Sequence, residues 1–407
     1  MAGRREYHGL YYALAGSTVL LTLFGLAMVL SASWVVALKD YGNSFYFFER
    51  QIAAAVFGAI ALVVLSRCDA KLLLRYRNHI LGVAVALLAA VFLPGVGDAA
   101  NGARSWLELG ALRIQPSEFA KIALTVWVAA VLVAKRNHLH DVRVLAGSLA
   151  LGVGLVLGLI LMQPDLGTAV IIAATVFIML YFGGAPLKLL IELGVAGGVA
   201  VAIFAASQPF RVARLFAFLH AESDPQGAGY NILQSLIALG SGGVTGVGPG
   251  MSRQKFLYLP ASYTDFILAV IGEELGLIGT LATVLGFGVL IYAGFMIARR
   301  ARDDASKLLV AGLTSVIAVQ ALVNMGAVTG LLPVTGVTLP LVSYGGTSLV
   351  ATMAAVGIML NVASRLPQSR SAGGRGGVAR THRPGRQRPS GPAPRKPENA
   401  RRRPARA

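Results

Sequence analysis

Ten apolar stretches, most of them about as long as a membrane span, constrain this chain more than any other feature. Inside lipid, every backbone N–H and C=O group must find a partner within the protein, so only helices and closed barrels can cross. A crossing helix needs about 20 apolar residues, whereas a barrel strand needs about 10 residues of alternating polarity. With 56% hydrophobic and 13% charged residues, the 407-residue chain predicts an all-α integral membrane protein.

The predicted transmembrane helices are the apolar windows between short polar connections. They span 11–38, 48–66, 79–95, 117–134, 144–162, 166–183, 186–205, 266–297, 308–331 and 340–363. A 60-residue connection, 206–265, separates the seventh helix from the eighth. The sequence therefore predicts a ten-span membrane domain, 1–364, with one large extracytoplasmic loop.

Basic residues are concentrated in alternate connections. Arg4 and Arg5 precede the first span, and further clusters follow at 67–77, 135–143 and 299–307, whereas the connections between them are poor in Lys and Arg. Because basic loops tend to remain cytoplasmic, both termini are predicted in the cytoplasm and the 206–265 loop outside. Asp265 then lies at the outer water–lipid boundary.

Most of the formal net charge of +18 lies in the C-terminal tail. Residues 365–407 contain 13 Lys and Arg against a single acid, Glu398. The tail is rich in Pro, Gly, Arg and Ser and is predicted to be disordered. We expect it to be attracted to anionic membrane lipids rather than to nucleic acid, with a cytoplasmic protein partner as the alternative.

Two charged residues fall at the start of the fourth span, in NGARSWLELGALRIQPSEFAKIAL (101–124). Glu118 and Lys121 are three residues apart on one helical face and can pair. An unpaired charge in mid-span costs about 2.5–3.5 kcal/mol, so the pair needs an interfacial position or a polar cavity. The preceding Arg104, Trp106 and Arg113 favour a functional cavity, although an interfacial ion pair and an aromatic belt explain the same residues.

Three carboxylates occupy the start of the eighth span, in YTDFILAVIGEELG (263–276). Asp265 could simply stabilise the positive end of the helix. Glu273 and Glu274 follow two turns later, about 12 Å along the axis. At least one of them must face a polar cavity lined by protein, and ionisable residues inside spans are functional hypotheses.

The large loop contains two further patterns. Residues 229–239 have apolar side chains at helical spacing and predict an amphipathic helix at the membrane surface, which could cover a site. Residues 240–250 include six glycines. Their amides could hold phosphate oxygens, but no Walker motif follows, and tight turns account for the glycines more simply.

The sequence resembles the SEDS family (shape, elongation, division and sporulation) in five motifs that occur in the family's order. These are NGARSWLELGALRIQPSEFAK, QPDLGTA, DPQGAGYNILQSLIALGSGGVTGVGPGMSRQK, YLPASYTDFILAVIGEELG and PVTGVTLPLVSYGGTS. The stretch GPGMSRQK is most similar to the division branch. The resemblance implies a ten-span peptidoglycan glycosyltransferase that polymerises lipid II outside the cytoplasmic membrane. It also implies a class B penicillin-binding protein and other division proteins as partners.

The resemblance also implies a set of site residues. Asp265 corresponds to the family's essential carboxylate, and Glu118 and Lys121 would line the same cavity, with Lys121 paired to Asp265. The remaining predicted substrate-binding residues are Arg104, Trp106, Arg214, Gln234, Ser343 and Tyr344. Many division members have an acid where this chain has Leu257, so no role is carried over to that position.

In this chemistry one sugar hydroxyl attacks the anomeric carbon of another and expels a lipid diphosphate. The hypothesis is that Asp265 takes the hydroxyl proton, while Arg104, Lys121 and Arg214 neutralise the diphosphate. A divalent cation, Mg²⁺ or Mn²⁺, could share that role, and no organic cofactor is expected. Two alternatives stay open: a lipid II flippase, which Glu273 and Glu274 would suit, and a non-catalytic division scaffold.

Overall fold

The computed structural model describes residues 2–94, 97–100, 103–110, 112–138, 142–206, 220–227 and 229–366, together with Val212 and Phe218. These residues are mostly helical. The α-helices are α1 Ala2–Tyr41, α2 Tyr46–Arg67, α3 Ala70–Arg75, α4 Arg77–Ala90, α5 Pro116–Ala134, α6 Val142–Leu149, α7 Leu155–Met162, α8 Leu166–Gly183, α9 Leu187–Ala206, α10 Tyr230–Gly242, α11 Ile267–Arg300, α12 Asp304–Val328 and α13 Gly346–Ser364. A π-helical turn, Ala150–Gly154, joins α6 to α7.

Every window predicted as a transmembrane helix contains a helix, and the ends differ where side chains cap the backbone. The ninth predicted span, which is α12, begins at Asp304 rather than at 308. The reason is a helix cap: the Asp303 carboxylate accepts a hydrogen bond of 2.8 Å from the Ser306 amide. Among the described residues, seven helices are long and apolar enough to cross a membrane. The ten-span count and the outer position of the loop stay predictions.

The all-α prediction is wrong at one place, a three-stranded antiparallel sheet before α5. Its strands are β1 Gly97–Ala100, β2 Ala103–Leu109 and β3 Leu112–Ile114. Gly110, at φ +64°, makes the turn between β2 and β3, a conformation that glycine adopts without steric cost. Across that turn the Arg113 guanidinium pairs with the Glu108 carboxylate at 2.8 Å. Only Leu107–Leu109 alternates in polarity within this stretch, and so short a pattern does not by itself predict a strand.

The most buried helices are α5, α12 and α13, whose windows of highest hydropathy are 72%, 83% and 89% buried. By contrast, the corresponding window of α2 is 17% buried. α2 packs along α13, with Gly357 so close to the Leu62 backbone that a Cβ would lie 2.6 Å from its carbonyl oxygen. Polar side chains carried by α5 and α12 therefore lie inside the protein rather than against lipid.

Helix α11 is interrupted at Gly276, where φ is +66° and ψ is −161°. The glycine-rich loop packs into this break: the Leu277 amide donates to Gly243 O at 2.9 Å, and the Val247 amide donates to Glu273 O at 3.0 Å. A Cβ on Gly276 would lie 2.4 Å from the Gly246 nitrogen. Loop carbonyl and amide groups thus bond to the backbone groups that the break in the helix leaves unpaired, which favours the tight-turn interpretation of the glycines over phosphate binding.

Candidate active site

Asp265 lies two residues before the start of α11 and is half-buried. Its backbone carbonyl accepts a hydrogen bond of 2.7 Å from Asn324 Nδ2 of α12. Gly336 is close on another side, since a Cβ there would lie 3.9 Å from Asp265 Oδ2. The carboxylate is therefore placed by α12 and by the segment that follows it, 329–345.

Glu118 and Lys121 form the ion pair that their spacing predicts. Lys121 Nζ lies 2.9 Å from Glu118 Oε1, and the two side chains are 2% and 7% exposed. The same ammonium donates a short hydrogen bond to Gln320 Oε1 of α12. Lys121 thus bonds to Glu118 and Gln320, and its pairing with Asp265, which the resemblance implies, stays a prediction. A buried ammonium is stable here because both acceptors compensate its lost hydration.

α12 links this pair to Asp265 through two amide side chains one turn apart. Gln320 Nε2 donates to Thr338 O at 3.1 Å, and Asn324 Nδ2 donates to Val337 O at 2.7 Å as well as to Asp265 O. Four residues of α-helix rise about 6 Å. Two sets of hydrogen bonds therefore lie side by side on α12: one joins Glu118 and Lys121 to Gln320 and Thr338, and the other joins Asn324 to Val337 and the backbone of Asp265.

An aromatic cluster supports the segment that carries Asp265. The Tyr263 ring lies 4.6 Å from that of Phe47 and 5.7 Å from that of Tyr344, centroid to centroid. The Tyr344 amide donates to Tyr263 O at 2.9 Å. Burial raises the pKa of Tyr263 to about 12, and burial also raises the pKa of Tyr344, which Arg50 partly opposes. Both phenols stay protonated at neutral pH and can donate hydrogen bonds but not act as bases.

Ser343, predicted to bind substrate, has a structural role in the described conformation. Its hydroxyl accepts from the Leu339 amide at 2.9 Å, and its carbonyl accepts from Gln51 Nε2 at 3.0 Å. Gln51, which is 1% exposed, also accepts from the Gly345 amide at 3.2 Å. These bonds fix the turn that presents Tyr344 beside Tyr263.

The other predicted site residues are less closely connected. Trp106 is half-buried in β2, and Gln234 is half-buried in α10. Arg104 is also in β2, where its backbone pairs with that of Ala99, while its side chain lies outside the described part of the chain. Arg214 lies outside the described residues altogether. Their roles stay predictions.

Glu273 and Glu274 do not face an open cavity. Ser252 Oγ, the Arg253 amide at 2.9 Å and the Gln254 amide at 3.3 Å donate to the Glu273 carboxylate. Lys255 Nζ lies 3.0 Å from Glu274 Oε1, with side-chain exposures of 0% and 1%. Both carboxylates hold the 250–255 stretch of the large loop against α11.

Sequence reasoning missed four polar residues at the site: Gln51, Asp165, Gln320 and Asn324. Asp165 accepts from the Thr168 amide at 3.0 Å and caps α8. Burial raises the pKa of the Asp165 carboxyl, and the charge of Lys121 opposes that shift. A usable signal existed for Gln320 and Asn324, since two amides four residues apart in an apolar span share one helical face.

The fold and the site define a multi-pass helical membrane protein with a polar network at its centre. A family model described as a cell cycle protein, for FtsW, RodA and SpoVE, matches residues 12–368. The chain belongs to this family.

Named relatives and solved structures agree with that assignment. Stage V sporulation protein E of Bacillus subtilis is 42% identical over 347 residues, which are 85% of this chain and 94% of that protein. The probable peptidoglycan glycosyltransferase FtsW of Trichlorobacter lovleyi is 41% identical over 350 residues, 86% of this chain and 91% of the relative.

Among structures, Thermus thermophilus RodA has a TM-score of 0.65 at 28% identity, covering 88% of this chain and 97% of that one. A chain in a peptidoglycan synthase complex that coordinates polymerisation and crosslinking has a TM-score of 0.70 at 30% identity, with the same coverages.

Proposed function

We propose that this chain is a peptidoglycan glycosyltransferase that polymerises lipid II during cell division, with Asp265 as the general base. The observation that carries the proposal is the position of Asp265. It is a half-buried carboxylate whose backbone is held by Asn324 of α12, one helical turn from the Gln320 that accepts from the buried Lys121–Glu118 pair. Relatives about 40% identical over most of the chain are named as such glycosyltransferases, which supports the reaction class.

In the proposed reaction, the 4-hydroxyl oxygen of one sugar attacks the anomeric carbon of the other. The bond from that carbon to the diphosphate breaks with inversion, the lipid diphosphate leaves with the electron pair, and the hydroxyl proton passes to Asp265. A diphosphate is already a stable anion and needs no proton, so one carboxylate suffices where a glycosidase uses two.

Charge on the leaving group requires nearby cations. Lys121 is buried and already bonded to Glu118 and Gln320, so we assign it a fixed electrostatic role rather than direct diphosphate contact. Arg104 and Arg214 remain the proposed direct contacts. Through its field, Lys121 would also favour the ionised form of a carboxylate nearby.

A divalent cation would supply further charge neutralisation at the diphosphate. Within the described ranges, no group of three or more His, Cys, Asp or Glu side chains could hold a metal ion. Asp265 would then be the proposed protein ligand, which suits Mg²⁺, since that ion commonly takes its other ligands from water and substrate phosphates.

We place the site at the extracytoplasmic face of the cytoplasmic membrane, with both termini in the cytoplasm and the ten predicted spans between them. Alternating basic connections support this orientation. A class B penicillin-binding protein is the proposed partner, in line with the structural relative from a peptidoglycan synthase complex. Other division proteins and membrane lipids complete the proposed set of partners.

The test is polymerisation of labelled lipid II by purified protein, with and without a cognate transpeptidase. We expect Asp265→Asn to lower turnover by about 10²- to 10⁴-fold, the usual contribution of a general base. Asp304→Asn is the matched control, because that carboxylate is exposed and pairs loosely with Arg136 at 3.7 Å. Turnover retained in Asp265→Asn would refute the base assignment.

The same preparation separates the alternatives. A flippase would move labelled lipid II across vesicles without forming polymer, and a scaffold would do neither. Glu273 and Glu274, the residues that suggested transport, are occupied by Ser252, Lys255 and loop amides. That part of the argument for a flippase therefore loses its basis.

A further inference from the structure

A second buried charge cluster lies outside the proposed catalytic residues and joins three separate parts of the chain. Lys255 belongs to the large loop, Glu274 to α11, and Ser31 and Trp34 to α1. Lys255 Nζ lies 3.0 Å from Glu274 Oε1 and 5.9 Å from the centre of the Trp34 ring. Ser31 Oγ lies 2.8 and 2.7 Å from the two Glu274 carboxylate oxygens.

Further hydrogen bonds surround this cluster. Lys255 Nζ also donates to Gly250 O, and the Ser252 amide donates to Glu274 Oε1 at 3.4 Å. The two charged side chains are 0% and 1% exposed. A buried ion pair is weak evidence for stability as such, because dehydration of both ions offsets most of their attraction. Its function must then be sought in what the pair holds in place.

The pair holds the beginning of the segment that ends at Asp265. The amides of Phe256 and Leu259 bond back to Arg253 O and Gln254 O, so the chain turns tightly directly beside Lys255. Leu257 and Ala261 lie in the left-handed region, at φ +70° and +56°. Non-glycine residues adopt this conformation at a cost and keep it where the surrounding structure enforces it.

Both ends of segment 255–266 are attached to the same helix. Residue 266 continues directly into α11, and Lys255 pairs with Glu274, seven residues after the Ile267 start of that helix. The segment is therefore a closed loop with its strained turns between two fixed points. Loosening the Lys255 end would let those turns relax and would move Asp265 relative to Asn324 and Tyr344.

We infer that the buried Lys255–Glu274 pair, braced by Ser31 of α1, is a positioning device for Asp265. This inference rests on the proposed function, because it treats Asp265 as the reacting carboxylate. Lys255 and Glu274 are positioning residues: they act on the reaction through the backbone of 256–264 and do not contact the reacting atoms.

The decisive variant is the double substitution Lys255→Met with Glu274→Gln, which removes the pair and leaves no unpaired buried charge. We expect kcat for lipid II polymerisation to fall by about 10²-fold, since a misplacement of about 1 Å costs that much, while KM stays within about threefold. The matched control is Arg136→Met with Asp304→Asn, a double neutralisation of an exposed pair, which should leave kcat unchanged.

A spectroscopic readout separates this inference from the proposed reaction. A spin label on Tyr258→Cys, in a Cys68→Ser background, reports the mobility of the segment, since Tyr258 is 58% exposed. The Lys255/Glu274 double variant should give a more mobile line shape than the control double variant. Should the double variant fail to fold, Ser31→Ala decides, because it keeps the pair and should give a smaller change in the same direction.

Wild-type kcat in the double variant, or an unchanged label mobility, would overturn the inference. If the wild-type protein forms no polymer but the spin label is still more mobile in the double variant, the proposed function is overturned. The role of the pair in holding the segment then remains supported. A loss of kcat in the control double variant would show that the assay responds to any charge removal, and the positioning role would then fall.

Discussion

Two buried Lys–Glu pairs occur among the residues that the structure describes, and they differ in the sequence separation of their partners. Glu118 and Lys121 are three residues apart on α5 and lie 2.9 Å from each other. Lys255 and Glu274 are 19 residues apart, on a loop and a helix, at 3.0 Å. In the first pair, Lys121 also donates to Gln320, and its charge interacts with the Asp165 carboxyl. The second pair is hydrogen-bonded to Ser31, Ser252 and Gly250.

The comparison teaches that the same two groups serve different purposes according to what surrounds them. The local pair bonds to Gln320, one turn of α12 before the Asn324 that holds the backbone of Asp265, so its charge lies on the side of the protein where the reaction is proposed. The long-range pair fixes a loop on a helix, and its other hydrogen bonds go to the same loop and to α1. Burial alone therefore does not identify a catalytic charge, and the partners of each charge must be known.

The largest effect on stability is expected from Lys255→Met. It leaves the Glu274 carboxylate 1% exposed and without its ammonium, which typically costs about 3–5 kcal/mol. Thermal unfolding of the protein in detergent, followed by tryptophan fluorescence, measures the change. A loss below about 1 kcal/mol would mean that Glu274 is protonated or reached by water, and the contrast between the two pairs would disappear.

Lys121→Met should destabilise the protein by about 3 kcal/mol, at the lower end of the same range, because Glu118 keeps 7% exposure. Its effect on polymerisation should exceed its effect on folding, since the charge lies in the site. The comparison of both readouts in Lys121→Met and Lys255→Met tests this. If both variants lose activity in the same proportion to lost stability, the two pairs do not differ in function.

Gln320→Leu probes the link between the local pair and Asp265. It removes the acceptor of Lys121 and the donor to Thr338 O, and a buried group left unsatisfied costs about 1–3 kcal/mol. We expect an intermediate loss of stability and a clear loss of turnover. If polymerisation survives unchanged, Gln320 does not connect the Lys121–Glu118 pair to the reaction.

Arg136→Met should have the smallest effect, below about 1 kcal/mol, because its pair with Asp304 is exposed and 3.7 Å long. The same unfolding measurement checks it. A loss as large as that of Lys255→Met would contradict the argument that burial decides the energetic weight of these ion pairs.

The sequence allowed much of the fold to be predicted because helix formation and lipid burial are governed by local composition. Each apolar window contains a helix, and the i,i+3 spacing of Glu118 and Lys121 produced the expected pair. The sheet at 97–114 was missed because its short strands lie between long apolar windows. Gln320 and Asn324 were missed because an amide within a long apolar helix is a weak signal.

By itself, the sequence determined that this protein resides in a membrane, where its helices lie, and which charges are neighbours on one helix. Each of these follows from interactions among residues close in the chain. The tertiary structure alone decided that Lys121 meets Gln320, 199 residues away, and that Lys255 meets Glu274 and Ser31. A buried charge takes the partner that packing brings within hydrogen-bond distance, and packing depends on the whole chain.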